Sequence, residues 1–279
     1  MEIKLTSQLS ALAHPQRLAL FRLLMRRYPD AVPAGEIATA LAQKANTVSA
    51  YLSTLSAAGL ILSQRQGTSL LYQAHLNGLR GVFDQLLSDC CQNRPDICTP
   101  PDHETALIPT AERPLNVLFI CTGNSARSIM AEAILTQEGH GRFIAHSAGS
   151  QPATAPRPDV LALLRAKGHD TATLRSKHLS AVSGEVAPQM DFVFTVCNHA
   201  ANEACPTWPG QPMSAHWGLP DPVMTKGTEA QKQLAYQQAY GLLRNRIRAF
   251  AALPFDTLNR LSLQHHLDDI GRHKATERS

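Results

Sequence analysis

Residues 99–114 carry four prolines in sixteen positions and show no apolar period. Such a stretch continues neither a helix nor a sheet ladder. It reads as a semi-rigid linker that parts the 279-residue chain into two bodies, residues 1–98 and 115–279. With 44% hydrophobic and 17% charged residues, both bodies are expected to be ordinary globular domains. No apolar run approaches the ~20 residues needed to cross a bilayer, so no membrane segment is expected. The opening Met1-Glu2-Ile3-Lys4 has neither a basic n-region nor an apolar h-region, so the expected location is cytoplasmic. Six cysteines are too sparse for a secreted disulfide framework and read better as ligands or reactive thiols.

The two sides of the linker differ in period. Before it the pattern is helical. Pro15 can open a helix that turns Leu18, Phe21, Leu24 and Met25 inward. A short helix fits residues 35–43, with Ile37 and Leu41 inward. A third fits 46–58 through Val48, Leu52 and Leu55, with Gly59 as its C-cap. Residues 60–72 read as a β-hairpin with a polar tip at 64–69, and 76–92 return to a helical pattern through Leu79, Val82, Phe83, Leu86 and Leu87. This order predicts a mainly α winged helix-turn-helix. Its third helix would enter the major groove, and the hairpin tip would reach phosphates or the minor groove. Opposite the apolar stripe of 46–58 stand Asn46, Thr47, Ser49, Ala50 and Ser53, small enough for close approach to base edges, and Arg65 at the tip is the expected phosphate contact. Nine Lys/Arg against six Asp/Glu in residues 1–98 permit nucleic-acid binding without demanding it. A small helical module that binds another protein is the competing reading.

The stretch 12–18 (Leu-Ala-His-Pro-Gln-Arg-Leu), followed by 48–55 and Ala57-Ala58-Gly59-Leu60-Ile61, resembles the ArsR family of metal-responsive repressors. That resemblance implies a homodimer, formed through this domain, that releases operator DNA when a thiophilic metalloid binds. Cys90, Cys91 and Cys98 follow the last helix, and three thiolates suit a trigonal arsenite centre, soft ligands selecting a soft centre. The vicinal pair plus a third cysteine resembles the inducer site of one ArsR branch; buried packing thiols are the alternative.

After the linker, strand and helix alternate. Residues 117–120 (Val-Leu-Phe-Ile), 143–145, 192–196 and 213–217 are strand candidates, 229–253 is a long helix, and 258–270 fits another. The alternation predicts a three-layer α/β domain with a parallel four-stranded sheet. Between the first strand and its helix stands Cys121-Thr122-Gly123-Asn124-Ser125-Ala126-Arg127-Ser128, of the form C-x5-R-S. Backbone N–H groups of a loop at a helix N-terminus converge on a tetrahedral oxyanion, so residues 122–127 are the expected cradle. The same positive end is expected to lower the Cys121 pKa. Arg127 offers a planar fork to two oxygens, and Ser128 can hydrogen-bond the thiolate.

This loop, with Ser147-Ala148-Gly149, residues 174–177 and residues 216–222, resembles the low-molecular-weight protein tyrosine phosphatases and the arsenate reductases built on the same fold. The resemblance implies Asp221 as general acid. Cys197 and Cys205 distinguish the two activities: a phosphatase has no use for them, whereas a reductase needs thiols that end as a disulfide. Val223 also stands where tyrosine phosphatases carry an aromatic. The expectation is therefore arsenate reduction through a Cys121–Cys197–Cys205 relay. No catalytic cofactor would be bound, thioredoxin or glutaredoxin with glutathione would act as external reductant, and the arsenite formed would be the inducer of the fused repressor. Open alternatives are a phosphatase fused to a DNA-binding regulator, an oxyanion sensor without turnover, a Cys197 that only packs, and zinc held by Cys197, Cys205 and His199.

Overall fold

A computed structural model describes residues 2–91, 107–183, 187–203, 208 and 210–272. The chain divides into two compact units, Met1–Thr105 and Ala106–Ser279, each with its own apolar core. Among the described residues no helix is long and apolar enough to cross a membrane.

The first unit runs α1 (Glu2–Leu12), α2 (Pro15–Arg27), β1 (Val32–Pro33), α3 (Ala34–Ala40), α4 (Ala45–Ala57), β2 (Ile61–Gln66), β3 (Ser69–Ala74) and α5 (Leu76–Gln85), then a π-helical turn at Leu86–Cys90. Helix α1 was not expected, and its burial explains why: the side chains it buries fully are Gln8 and Ala11, one polar and one small, while Leu5 and Leu12 pack on the core only part-buried. Helix α2 packs against α1, α4 and β3. It therefore buries Leu20 and Leu23 beside Phe21 and Leu24, while Leu18 and Met25 are only half-buried.

Helix α4 turns Val48, Leu52 and Leu55 inward as its spacing requires. It ends at Gly59 (φ +70°), where Gly59 N donates to Ser56 O and Leu60 N to Leu55 O, the paired bonds of a Schellman cap. The hairpin is tighter than its composition suggests. Strands β2 and β3 pair from Ile61↔Ala74 to Gln66↔Ser69, and only Gly67 and Thr68 form the turn, with Gly67 at φ +61°. Phe83, expected inward, is 55% exposed, because α5 meets the core through Val82.

The second unit places β4 (Leu115–Cys121), β5 (Phe143–Gly149), β6 (Phe192–Thr195) and β7 (Met213–His216) in one parallel sheet of order β5-β4-β6-β7. The four strands come at the expected places. Successive side chains of a strand face opposite ways, and from Val117 to Cys121 every one is buried, so both faces of the sheet are covered. Its helices are α6 (Arg127–Glu138), α7 (Pro158–Ala166), α8 (Asn198–Asn202), α9 (Glu229–Ala251) and α10 (Arg260–Arg272). From β4 the chain moves to β5 on one side and later to β6 on the other. The connections leaving β4 and β6 therefore diverge at the carboxyl ends of two adjacent strands. That divergence opens the crevice in which α/β sheets bind ligands, and Cys121 and Cys197 stand at its two lips.

Candidate active site

The loop between Cys121 and α6 is held open from outside. Thr122 O accepts from Gln151 N (3.0 Å), Gly123 O from Ala153 N (2.8 Å) and Ser125 O from Arg157 N (3.0 Å). Asn124 O accepts from Ser176 Oγ at 2.7 Å. Across a trans peptide the C=O and the next N–H point opposite ways. Four carbonyls turned outward thus leave the N–H groups of residues 123–126 turned into the loop, and Asn124 N donates to Cys121 Sγ at 3.2 Å. A backbone so arranged can accept a tetrahedral anion.

Asn124 braces that shape, and its side chain is not a pocket wall. It is fully buried at φ +41°. Its Nδ2 donates to Ser128 Oγ (2.9 Å) and Ser147 Oγ (2.8 Å), and its Oδ1 accepts from Lys177 N at 2.6 Å. Ser147 in turn donates to Glu132, which is ion-paired with Lys177 at 3.3 Å. Burial pushes the Glu132 carboxyl up, while Ser147 and Lys177 pull it back.

Cys121 Sγ lies 2.9 Å from Ser128 Oγ and is 3% exposed. The shift of its pKa runs opposite to the expected lowering. Burial pushes the thiol up, and the nearby Cys197 adds to that; hydrogen bonds from Ser128 and the charge of Arg127 act the other way. Because the shift is upward, the thiolate fraction falls as burial grows and rises with pH. Ser128→Ala removes a lowering influence and so displaces ionisation to still higher pH. One hydrogen bond to a charged group is worth ~1.5–3 kcal/mol. Iodoacetamide labelling of Cys121 at pH 7, followed by peptide mass spectrometry, is therefore expected to slow about tenfold. Equal labelling rates in the two proteins would remove Ser128 from this role.

Cys121, Thr122, Gly123, Ser125, Ala126, Arg127, His199, Asp221 and Val223 line one cavity of about 280 Å³. Arg127 Nη2 is paired with Asp221 Oδ2 at 2.6 Å, and its Nη1 reaches Leu219 O at 3.3 Å. Both charges named from the sequence thus face one space and hold each other there. Asp221 Oδ1 accepts from Val223 N at 3.1 Å, which sets the carboxylate's orientation.

Cys197 caps α8 from behind the loop, 1% exposed, with Ala200 N donating to its sulfur at 3.4 Å. Thr122 Oγ1 lies 3.5 Å from that sulfur and 3.3 Å from His199 Nδ1. The sequence reading weighed His199 only as a metal ligand. Its i,i+4 partner Glu203, 3.1 Å away, is a spacing that surface helices carry everywhere. Cys205 lies outside the described residues.

In the first unit Asn46, Ser49, Ala50 and Ser53 share the exposed face of α4, and Thr47 is half-buried. Arg65 is exposed but sits in β2, two residues before the turn, with Nε donating to Gly67 O at 3.2 Å. Tyr51 turns to the His14 ring, 5.2 Å away. Cys90 is exposed and Cys91 half-buried, on consecutive positions where the π-helical turn ends; Cys98 lies outside the described residues. Among the described residues no three His, Cys, Asp or Glu side chains gather as a metal site.

Residues 116–262 match the profile of the low molecular weight phosphotyrosine protein phosphatases, and residues 12–64 match that of a helix-turn-helix domain. An arsenate reductase of Bacillus subtilis is 32% identical over 135 residues, 48% of this chain and 94% of its own length. One of Oceanobacillus iheyensis is 33% identical over 139 residues, with the same coverage. Among solved structures, an ArsR-like transcriptional regulator from Rhodococcus is similar at 22% identity and a TM-score of 0.30, over 34% of this chain and 88% of that one.

Proposed function

The chain belongs to the low molecular weight phosphotyrosine protein phosphatase family, whose profile spans just over half of it, and from that premise we propose that its second unit reduces arsenate to arsenite. The observation that carries the reading is the second thiol. Cys197 is buried beside the loop, in reach of Thr122, and a phosphatase cycle has no step for it. In the proposed cycle the Cys121 thiolate attacks arsenate held by the inward N–H groups and Arg127, and Asp221 protonates the departing hydroxide. Cys197 then attacks Cys121 sulfur. The bond from that sulfur to arsenic breaks with its electron pair staying on arsenic, so arsenite leaves and a Cys121–Cys197 disulfide remains. Cys205 passes the oxidation on as a Cys197–Cys205 disulfide, reduced by thioredoxin or by glutaredoxin with glutathione.

The first unit is proposed as an arsenite-responsive repressor. Residues 1–98 would form a DNA-binding and dimerisation domain, 99–114 the linker, and 115–279 the reductase. The helix-turn-helix match and the exposed small polar face of α4 support operator binding. Leu9, Phe83 and Leu87 are exposed apolar residues on α1, α5 and the turn that follows α5, and α1 packs on α5, which supports a homodimer through these elements. Cys90, Cys91 and Cys98 would receive the arsenite that the second unit makes.

The deciding measurement is arsenate-dependent NADPH oxidation by the whole chain with thioredoxin and its reductase. Turnover is expected. Turnover only with glutaredoxin and glutathione would change the reductant and keep the activity. Hydrolysis of aryl phosphates without arsenate reduction would instead assign a phosphatase.

A further inference from the structure

Asp221 hangs from a short run of chain that leaves the sheet. Strand β7 ends at His216, and Trp217 N still donates to Thr195 O at 2.8 Å. From there two arginines grip successive carbonyls. Arg246 Nη1 donates to Trp217 O (2.7 Å) and Gly218 O (3.1 Å), and Arg127 Nη1 to Leu219 O (3.3 Å). We propose that Arg246, braced by α10, is a positioning residue that holds residues 217–219 so that Asp221 stays aimed at the cradle. The proposal rests on the reading of Asp221 as the acid that protonates the departing hydroxide.

Arg127 cannot do this alone. Two oxyanion oxygens require its planar fork, and Asp221 and Leu219 O take that same fork here. A bound oxyanion therefore competes with the grip that Arg127 has on the segment. Arg246 does not line the cavity, so its bonds persist when substrate enters. Pro220 and Pro222 flank Asp221, and each fixes a φ angle. A displacement at 217–219 is thus passed on to the carboxylate with little slack to absorb it.

Arg246 is itself held in place. It stands on α9 at 7% exposure, and its Nη2 donates to Gly271 O at 3.0 Å. Gly271 lies in the last turn of α10, where carbonyls have no partner within the helix and the helix end is negative. A guanidinium taken out of water must be hydrogen-bonded, and these three carbonyls supply that. Helix α10 also presses on the segment directly. Trp217 Nε1 donates to Leu267 O at 3.0 Å, and a Cβ on Gly271 would stand 2.6 Å from His216 O and 3.1 Å from Trp217 Cδ1. Most of α10 follows residue 262, where the match to the family profile stops.

The test is a set of single turnovers of the whole chain at saturating arsenate and pH 7, scored by arsenite formed. Arg246→Lys keeps the charge but offers a compact point donor in place of a planar fork. Its rate is expected to fall about tenfold, part of the ~10²–10⁴ that a placed acid contributes. The arsenate concentration giving half the maximal rate should hold, as for an interaction felt only in the transition state. The deciding comparison is made with Asp221→Asn, itself expected to be about a hundredfold slow. In that background Arg246→Lys should slow the reaction no further, because no acid remains to be placed. A merely structural role would slow both backgrounds alike, and that additive result overturns the proposal, as does an unchanged rate in Arg246→Lys alone. If Asp221→Asn is as fast as the wild type, the reading of Asp221 fails and takes the proposal with it. Should Arg246→Lys not fold, Trp217→Phe replaces it: an aromatic ring stays against Phe194, the Nε1 bond to Leu267 O is lost, and the same dependence on Asp221 is expected. If the wild type hydrolyses aryl phosphates in place of reducing arsenate, the same set is compared on that reaction, where the acid protonates the leaving oxygen.

Discussion

A protein carrying Cys197→Ser is expected to bind arsenate and release no arsenite, with thioredoxin present or absent. Reduction needs two electrons. In the proposed cycle they leave only when a second sulfur attacks Cys121 and the sulfur–arsenic bond breaks toward arsenic. A serine oxygen in the same buried place cannot form the disulfide, so the adduct on Cys121 can only revert to arsenate. The fold should tolerate the change, because serine is close in size to cysteine and can still accept from Ala200 N, which donates to this sulfur. Two measurements separate the steps: arsenate affinity by calorimetry and arsenite release by chromatography coupled to elemental detection. Unchanged affinity with no arsenite is the expected pair. Arsenite released at the wild-type rate would remove Cys197 from the cycle and return the reading to an enzyme that uses Cys121 alone.

Gly149→Ala should damage the same activity although residue 149 does not itself line the cavity. Gly149 ends β5 opposite Cys121 in the sheet register, where the chain runs against the back of the loop. An added Cβ would stand 2.4 Å from Thr122 O and 3.0 Å from both Asn124 N and Asn124 Cβ. Two of those three atoms are backbone, so no side chain can swing aside. The loop must move instead, by an amount comparable to the 1 Å misplacement that costs about a hundredfold in rate. Overpacking of this kind costs about 1–3 kcal/mol, so the variant should still fold, with a lowered thermal midpoint. The expected result is turnover reduced about a hundredfold with weakened oxyanion binding. Wild-type affinity and turnover would mean that the loop yields more freely than its outward bonds suggest.

Local pattern carried most of the architecture. The run Val117-Leu118-Phe119-Ile120 sits in a sheet covered on both faces, so every residue is apolar and the strand can be read directly. The seven-residue interval from Cys121 to Ser128 crosses one turn into a helix, and the two side chains meet at 2.9 Å. What escaped the sequence reading depends on distant partners. Asn124 belongs to the C-x5-R-S motif, yet its side chain is taken by Ser147 and Lys177, 23 and 53 residues away, and turned from the cavity. The Cys121 thiol was expected to ionise readily because of the helix end beside it, but its burial outweighs that influence. Helix α1 lacked a legible face because it buries a glutamine and an alanine. Arg65 moved off the hairpin tip because the ladder continues to Gln66↔Ser69, leaving two residues to turn.

The outward pinning of the loop carbonyls bears on selectivity. A cradle of backbone N–H groups responds to negative charge and tetrahedral shape, and phosphate has both. Held from outside at four consecutive residues, the loop has little freedom to reshape itself around one ion and reject the other. Discrimination under the proposed function then falls on the step after binding, since a thiol takes arsenic from the pentavalent to the trivalent state and leaves phosphorus as it is. Phosphate becomes a reversible competitor for the cradle, and the ratio of the two ions, more than the concentration of arsenate alone, sets how fast the inducer appears.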